Sequence, residues 1–168
     1  MNYYKVTRQD ETHRRMTYHD GLNEDPVTWN PSGDCEAGGI YFSREDILSF
    51  LDCGVWLRRV EIPPDTPIYE NPGRPRKWKA PRILLGPREE ITTEVILRLL
   101  GEGADIHAGN DYALCWAAES GQTETVAALL DRGADIHAGN DYALCWAAEY
   151  GHTETVAALR QWVEPFRT

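Results

Sequence analysis

Apolar residues follow two different rhythms along the chain, with the change near residue 87. The N-terminal part has short apolar runs, alternating with polar positions and punctuated by Gly and Pro, the pattern of strands and turns. Residues 3–7 (YYKVT) predict a first strand, and residues 38–42 (GGIYF) a second, entered through glycines. Residues 8–20 are polar with turn chemistry, and residues 21–34 are expected to be irregular. Ser43, with Asp46 three residues on, is placed to cap a helix carrying Ile47, Leu48, Phe50 and Leu51. Residues 55–62 alternate as a strand that Pro63-Pro64-Asp65 turns. Residues 67–70 predict a short strand, 74–82 a loop rich in Pro, Arg and Lys, and 82–86 the last strand.

The sequence then repeats itself. Residues 103–132 and 133–162 are 30-residue units identical except at Ser120/Tyr150, Gln122/His152, Leu130/Arg160, Asp131/Gln161 and Arg132/Trp162. Within a unit, Ala113, Leu114, Trp116, Ala117 and Ala118 predict a short helix with one packing side, and Ser120-Gly121 breaks it. Val126, Ala127, Leu129 and Leu130 mark a second helix; Gly133 ends it, and residues 134–141 cross back as a turn. A fixed period of this length signals stacked units, each burying its apolar face only against its neighbours. A shift of thirty residues brings Glu94, Leu99, Leu100 and Gly103 onto Glu124, Leu129, Leu130 and Gly133. That is half a unit, its first helix missing because residues 81–87 are not helical in pattern, so something N-terminal must cover it. At the other end Arg160, Gln161 and Glu164 predict a polar terminal cap that Pro165 ends.

Strands with one helix, followed by helices alone, make an α+β domain joined to an α-solenoid. The string LCWAAESG resembles the L-H-x-A-A-x-x-G of the ankyrin repeat, and TETVAALLDRGAD its x-E-x-V-x-x-L-L-x-x-G-A-D. The family's usual unit is about 33 residues. The shortening falls between Ala108 and Tyr112, so the projecting turn is expected to be stubby. Tyr112-Ala113-Leu114-Cys115 replaces the family's T-P-L-H, removing its Thr–His bonding. Units with GADIHA and DYAL are similar to those of ankyrin proteins of giant DNA viruses of amoebae, the mimivirus type. NPSGDCEAGGIYFS, FLDCG, VEIPPD and KAPRILL resemble the N-terminal module that precedes such arrays.

The expected organisation is an α+β N-terminal capping domain, residues 1–87, packed without a flexible linker on a short all-α ankyrin-repeat solenoid of about two and a half repeats. The solenoid, residues 88–168, comprises a half unit (88–102), units 103–132 and 133–162, and a C-terminal cap (163–168). The resemblance implies protein recognition through turn tips and first helices. Here those are Asn110, Asp111, Tyr112 and Trp116 in one unit, and Asn140, Asp141, Tyr142 and Trp146 in the next. Aromatic residues are common interface anchors, although Trp116 and Trp146, flanked by Leu and Ala, equally suit packing. Tyr150 and His152 vary between units, which fits tuning or indifference alike.

Charge narrows the partners. The formal net charge is −10, but residues 1–87 carry −1 and residues 88–168 carry −9. An acidic repeat face repels phosphate backbones and suits a basic protein better. Cys115 and Cys145 occupy the same position in successive units, about 10 Å apart by helix packing and out of disulfide reach. Reduced core cysteines and a reducing compartment follow. MNYYKVTRQDE has no apolar leader and no run reaches membrane-spanning length, so an intracellular, cytoplasmic protein is expected, the host cytoplasm included.

Other chemistry is weaker. Gly21-Leu22, then Gly39-Ile40-Tyr41-Phe42-Ser43, a helix, and residues 56–62 resemble the ADP-ribosyltransferase core. That resemblance implies NAD, with Tyr41 stacking on nicotinamide and Glu61 or Glu70 as catalytic carboxylate. The family's His-Gly pair is missing from the first strand, and His13 and His19 fall in predicted loop. His107 and His137, with Asp105 and Asp135, lack a four-ligand spacing, so no metal is expected. Acids flank Cys35, which opposes thiol activation. Arg74, Arg76, Lys77 and Lys79, with Trp78 among them and Arg82 beyond, form a basic patch suited to phosphate or nucleic acid, or to docking on the acidic repeats. The reading adopted is a non-catalytic protein–protein interaction module without cofactor or metal, binding a host or other partner protein. The alternatives are an NAD-binding transferase-like domain and phosphate or nucleic-acid binding through residues 74–82.

Overall fold

A computed structural model describes residues 1–33 and 35–163. The first strands are β1 (Tyr3–Thr7), β2 (Thr12–His13), β3 (Met16–Thr17), β4 (Gly21–Glu24) and β5 (Ile40–Phe42). A 3₁₀ segment (Ile47–Cys53) precedes β6 (Trp56–Glu61), β7 (Tyr69–Asn71), β8 (Lys77–Ala80), β9 (Arg82–Leu85) and β10 (Glu89–Glu90). The helices α1 (Thr93–Gly101), α2 (Ala108–Glu119), α3 (Thr123–Asp131), α4 (Ala138–Glu149) and α5 (Thr153–Val163) complete the chain.

One antiparallel sheet has the order β1-β6-β9-β4, with β10 also pairing β6. A second has the order β5-β8-β7, and β2–β3 is a separate hairpin. Tyr4 and Ser43 stitch the two sheets through reciprocal backbone bonds of 2.8 Å. Ile40, Phe42, Val60, Trp78, Ala80, Ile83 and Leu85 belong to one apolar cluster of these strands. Both β4 and β8 lie where irregular chain or loop was expected. In β4 (GLNE) only Asn23 is buried, held by the backbone of His19 and Gly21, so no apolar alternation betrays the strand. In β8 (KWKA) the lysines read as solvent-facing, yet the strand is central. Ser43 caps no helix: its hydroxyl donates to Arg76 O at 2.7 Å. Asp46 stands before the 3₁₀ segment without a side-chain cap, its carboxylate taken by the Arg76 N–H at 2.6 Å.

The two units fold as the pairs α2–α3 and α4–α5. The stubby turn before each first helix is three successive left-handed residues, Gly109-Asn110-Asp111 (φ 64°, 64° and 56°) and Gly139-Asn140-Asp141 (φ 63°, 62° and 61°). Gly, Asn and Asp are the residue types that visit this region at least cost. The units are joined by polar bonds as well as by apolar contact. The Asp135 N–H donates to Asp111 Oδ1 at 2.7 Å. Thr93 and Thr125 hydroxyls meet at 2.7 Å, and Thr123 and Thr155 at 2.8 Å.

The helix missing from the half unit has a substitute. The 3₁₀ segment packs on α2, as α4 does. Its neighbour Glu45 offers a carbonyl to the Asp105 N–H at 2.7 Å. Asp105 and Asp135 are repeat equivalents, so Glu45 stands one step before the position held by Asp111. Buried Ile47, Leu48 and Leu51 share one cluster with Tyr4, Val6 and Leu57 of the strands and with Ile96, Leu99, Leu114 and Leu129 of the helices. The α+β domain therefore packs directly on the helical solenoid. A polar clasp adds to this: the Tyr4 hydroxyl donates to Glu102 Oε2 at 2.7 Å and Arg98 Nη1 to Oε1 at 3.0 Å. Burial alone would raise the Glu102 pKa, but these bonds override it and hold the carboxyl below its ordinary value.

The cysteines are corrected in one respect. All four are free thiols, but Cys35, Cys53 and Cys145 are exposed and Cys115 is half-buried, so none is a core residue. Ala113, Leu114, Ala117 and Ala118 take the buried positions of α2 and leave Cys115 off that stripe. Exposed Arg160 stands where buried Leu130 does in the preceding unit. Glu164 and Pro165 of the expected cap lie outside the described residues.

Candidate recognition surface

The first helices have identical sequences but different surroundings. Tyr112, Trp116 and Ser120, like Tyr142, Trp146 and Tyr150, are spaced i, i+4, i+8 and share a helix face. In α2 that face is partly covered. Tyr112 is half-buried, its hydroxyl pushed up to about 12 by burial and then by Asp52, and Trp116 packs against the core. In α4 it is open: Tyr142 is 52% and Tyr150 53% exposed. The Trp146 ring stacks on Tyr150 at 5.8 Å, and Tyr150 on His152 at 6.5 Å. His152 Nε2 is fixed at 2.8 Å from Glu119 O of the preceding unit. Tyr150 and His152, two of the five variable positions, thus join Tyr142 and Trp146 in one aromatic ridge.

The turn residues divide in the same way. Asn110, Asn140 and Asp141 are exposed, whereas Asp111 is 4% exposed and holds the next unit's amide. His107 Nδ1 lies 3.1 Å from the Asp111 carboxylate, and His137 Nδ1 2.6 Å from Asp141 Oδ1. Asp105 and Asp135 accept the backbone N–H of His107 and His137 at 2.9 Å each, which gives these acids a turn-forming role. Asp111→Ala is expected to cost about 1.5–3 kcal/mol, because it empties a buried position, strands the part-buried Asp135 amide and puts Ala at positive φ. Asp141→Ala loses only an exposed contact and the same backbone preference, and is expected to cost about 1 kcal/mol. Urea unfolding of the two variants checks this, and equal losses would deny Asp111 its role as a joint.

The basic patch does not form a continuous surface. Lys79 is 0% exposed, its ammonium donating to Ser32 O at 2.6 Å and lying 5.4–6.0 Å from the ring centroids of Trp29, Tyr41 and Tyr69. Burial lowers its pKa, opposed by Glu36 and Asp25. Arg74 and the Arg76 amide both go to Asp46 rather than to the repeats. The Lys77 ammonium is 2.9 Å from Cys35 Sγ, and Trp78 is buried edge-on to Tyr3. Tyr41 and His13 line a common cavity, and Glu61 and Glu70 are not among its lining residues. Among the described residues no group of three or more His, Cys, Asp or Glu is placed to hold a metal, and no helix is long and apolar enough to cross a membrane.

Residues 89–164 match the family model described as ankyrin repeats in three copies. A "Putative ankyrin repeat protein" of Acanthamoeba polyphaga mimivirus is 40% identical over 119 residues, covering 65% of this chain and 38% of its own length. A second, of the same description and virus, is 32% identical over 123 residues, covering 70% and 37%. An uncharacterized protein of that virus is 32% identical over 124 residues, covering 71% of this chain and 90% of its own length. The chain thus spans less than two fifths of the first two relatives. No solved structure matches.

Proposed function

We propose, since the chain belongs to the ankyrin-repeat family in the form found in giant DNA viruses, that it is a non-catalytic module recognising a host or viral protein through the aromatic ridge of its second unit. Ankyrin repeats are a protein–protein interaction module, and the observation that supports this ridge is the pair of solvent-facing tyrosines, Tyr142 and Tyr150. Large aromatic side chains carry much of the energy of protein interfaces. The stack Trp146–Tyr150–His152 holds its rings in place before binding, which lowers the ordering cost. The charge of −9 on residues 88–168 favours a basic partner by steering it in and excluding acidic ones. Exposed Asn140 and Asp141 stand beside Tyr142 as polar rim. The cytoplasm of an infected cell is the setting this reading implies.

The test is affinity capture from infected amoebal lysate with the full chain and with a Tyr142→Ala/Tyr150→Ala variant of unchanged Tm. The wild type is expected to retain a basic protein that the variant holds at least tenfold more weakly, a loss of about 1.4 kcal/mol or more. Raised salt is expected to weaken retention. Equal retention by the variant overturns the assignment, as does failure to retain anything beyond an unrelated ankyrin control.

A further inference from the structure

A cavity of about 270 Å³ opens among β1, the β2–β3 hairpin, β5 and the 3₁₀ segment. Its wall carries Lys5, Arg8, His13, Arg14 and Lys77, and no Asp or Glu among the described residues. The Lys5 ammonium donates to Tyr41 O at 2.9 Å and lies 4.9 Å from the Tyr18 ring centroid. Arg14 Nη2 donates to Cys35 O at 2.6 Å. Both acceptors are neutral carbonyls, so neither bond pairs its cation with an opposite charge. An adjoining lobe of about 320 Å³ shares Lys5, His13, Arg14, Tyr18 and Tyr41. It contains Asp25, whose two oxygens are occupied by the N–H groups of Val27 and Gly39 at 2.9 and 2.8 Å.

The wall of the cavity is thus rich in cationic and hydrogen-bond-donating groups, with Arg8, His13 and Arg14 reaching solvent. Burial and then Lys5, Arg14 and Arg8 push the His13 pKa down, which places all three cations within electrostatic reach of the imidazole. Burial likewise pushes Lys5 down to about 8. An anion entering the cavity would relieve both. Several donors favour a phosphate monoester, with nearly two negative charges and three acceptor oxygens, over a singly charged carboxylate. Tyr18, Tyr41 and Phe50 give the cavity flat apolar walls. The volume of this lobe sits at the lower edge of small-molecule pockets, which run from about 300 to 1,000 Å³, and matches one ring system.

We propose that this cavity binds a small aromatic phosphate monoester, its phosphate against Lys5, His13 and Arg14 and its ring against Tyr18 and Tyr41. The segments that build it are scattered over the N-terminal sequence, and the ligand class is independent of protein recognition by the repeats.

Calorimetry on the full chain tests this with phenyl phosphate and AMP, against phenol, adenosine and inorganic phosphate. At least one of the two esters is expected to bind with Kd below about 0.1 mM, and at least tenfold more tightly than its neutral counterpart and than inorganic phosphate. Arg14→Gln, at an exposed position, is expected to weaken it by about tenfold to a hundredfold, the loss of one charge-assisted hydrogen bond. Lys5→Gln is expected to do the same, with Tm verifying its fold, while Arg132→Gln on the distant repeats changes nothing. The proposal is overturned if neither ester binds at millimolar concentration, if phenol and adenosine bind as well, if inorganic phosphate alone does as well, or if Arg14→Gln binds undiminished. None of these outcomes touches the recognition ridge, whose test reads a protein partner.

Discussion

Arg58→Ala is expected to destabilise the protein by about 3–5 kcal/mol, or about 6–20 °C in Tm at 2–4 °C per kcal/mol. Arg58 lies on β6 and is 1% exposed. Its Nη1 donates to Glu11 Oε1 at 2.7 Å, its Nη2 to Asp20 Oδ1 at 2.6 Å and its Nε to Gly86 O at 2.8 Å. One planar guanidinium thus pins the turn around Glu11, the approach to β4 and the exit from β9. The Asp20 contact is largely solvent-exposed and adds little. The loss comes from Glu11, which stays buried at positive φ with Arg88, at 3.9 Å, its remaining ion-pair partner among the described residues. Arg58→Lys is expected to recover only part, since one ammonium cannot present a fork to three acceptors. Glu11→Gln in the Arg58→Ala background is expected to regain about 1 kcal/mol or more by removing the stranded charge. A loss under about 1 kcal/mol in urea unfolding would show that the network is not structural.

Leu51→Ala is expected to cost about 2–5 kcal/mol, and to cost it on both sides of the molecule. Leu51 is fully buried in the 3₁₀ segment, in the same cluster as Val6 and Leu57 of the strands and Leu99 and Leu114 of the helices. A void there removes contacts from the first sheet and from α2 together. Hydrogen exchange is the informative readout: amide protection is expected to fall in β1 and in α2 alike. Leu159→Ala, in equally buried surroundings on α5, is expected to lower protection mainly in α4 and α5. If Leu51→Ala left the α2 amides as protected as before, the strands would be a neighbour of the repeats rather than their end cap.

How much of this was legible depends on whether the cause was local. The helices of each unit were, because a 3.6-residue stripe written twice at one period leaves no other way to bury Leu114, Leu129 and Ala117. The need for a cover over the half unit was also legible, from the helix it lacks. That residues 47–53 supply it was not, since those contacts join segments about forty residues and more apart. Lys79 misled for the same reason: its cage of Trp29, Tyr41 and Tyr69 comes from three distant stretches. The edge strand β4 buries only Asn23 and so carries no apolar signature. Most instructive are Asp111 and Asp141, identical in local sequence yet buried and exposed respectively. What buries Asp111 is the following unit, whose Asp135 amide it holds 24 residues further on, a contact that its local sequence does not contain.

The joint at Asp111 has a consequence for inheritance. Acceptor and donor, the Asp111 carboxylate and the Asp135 amide, lie 24 residues apart, and each position recurs at the same place in both copies. The threonines that meet at 123 and 155 recur likewise at 93 and 125. A duplicated stretch of thirty codons inserted between the units would arrive with its own fasteners already cut to fit both neighbours. Insertion of a whole unit there keeps these fasteners in register, whereas a slip of a single codon would set every fastener after it out of line. The genome can lengthen or shorten such an array by recombination alone, and the fold enforces the size of the step.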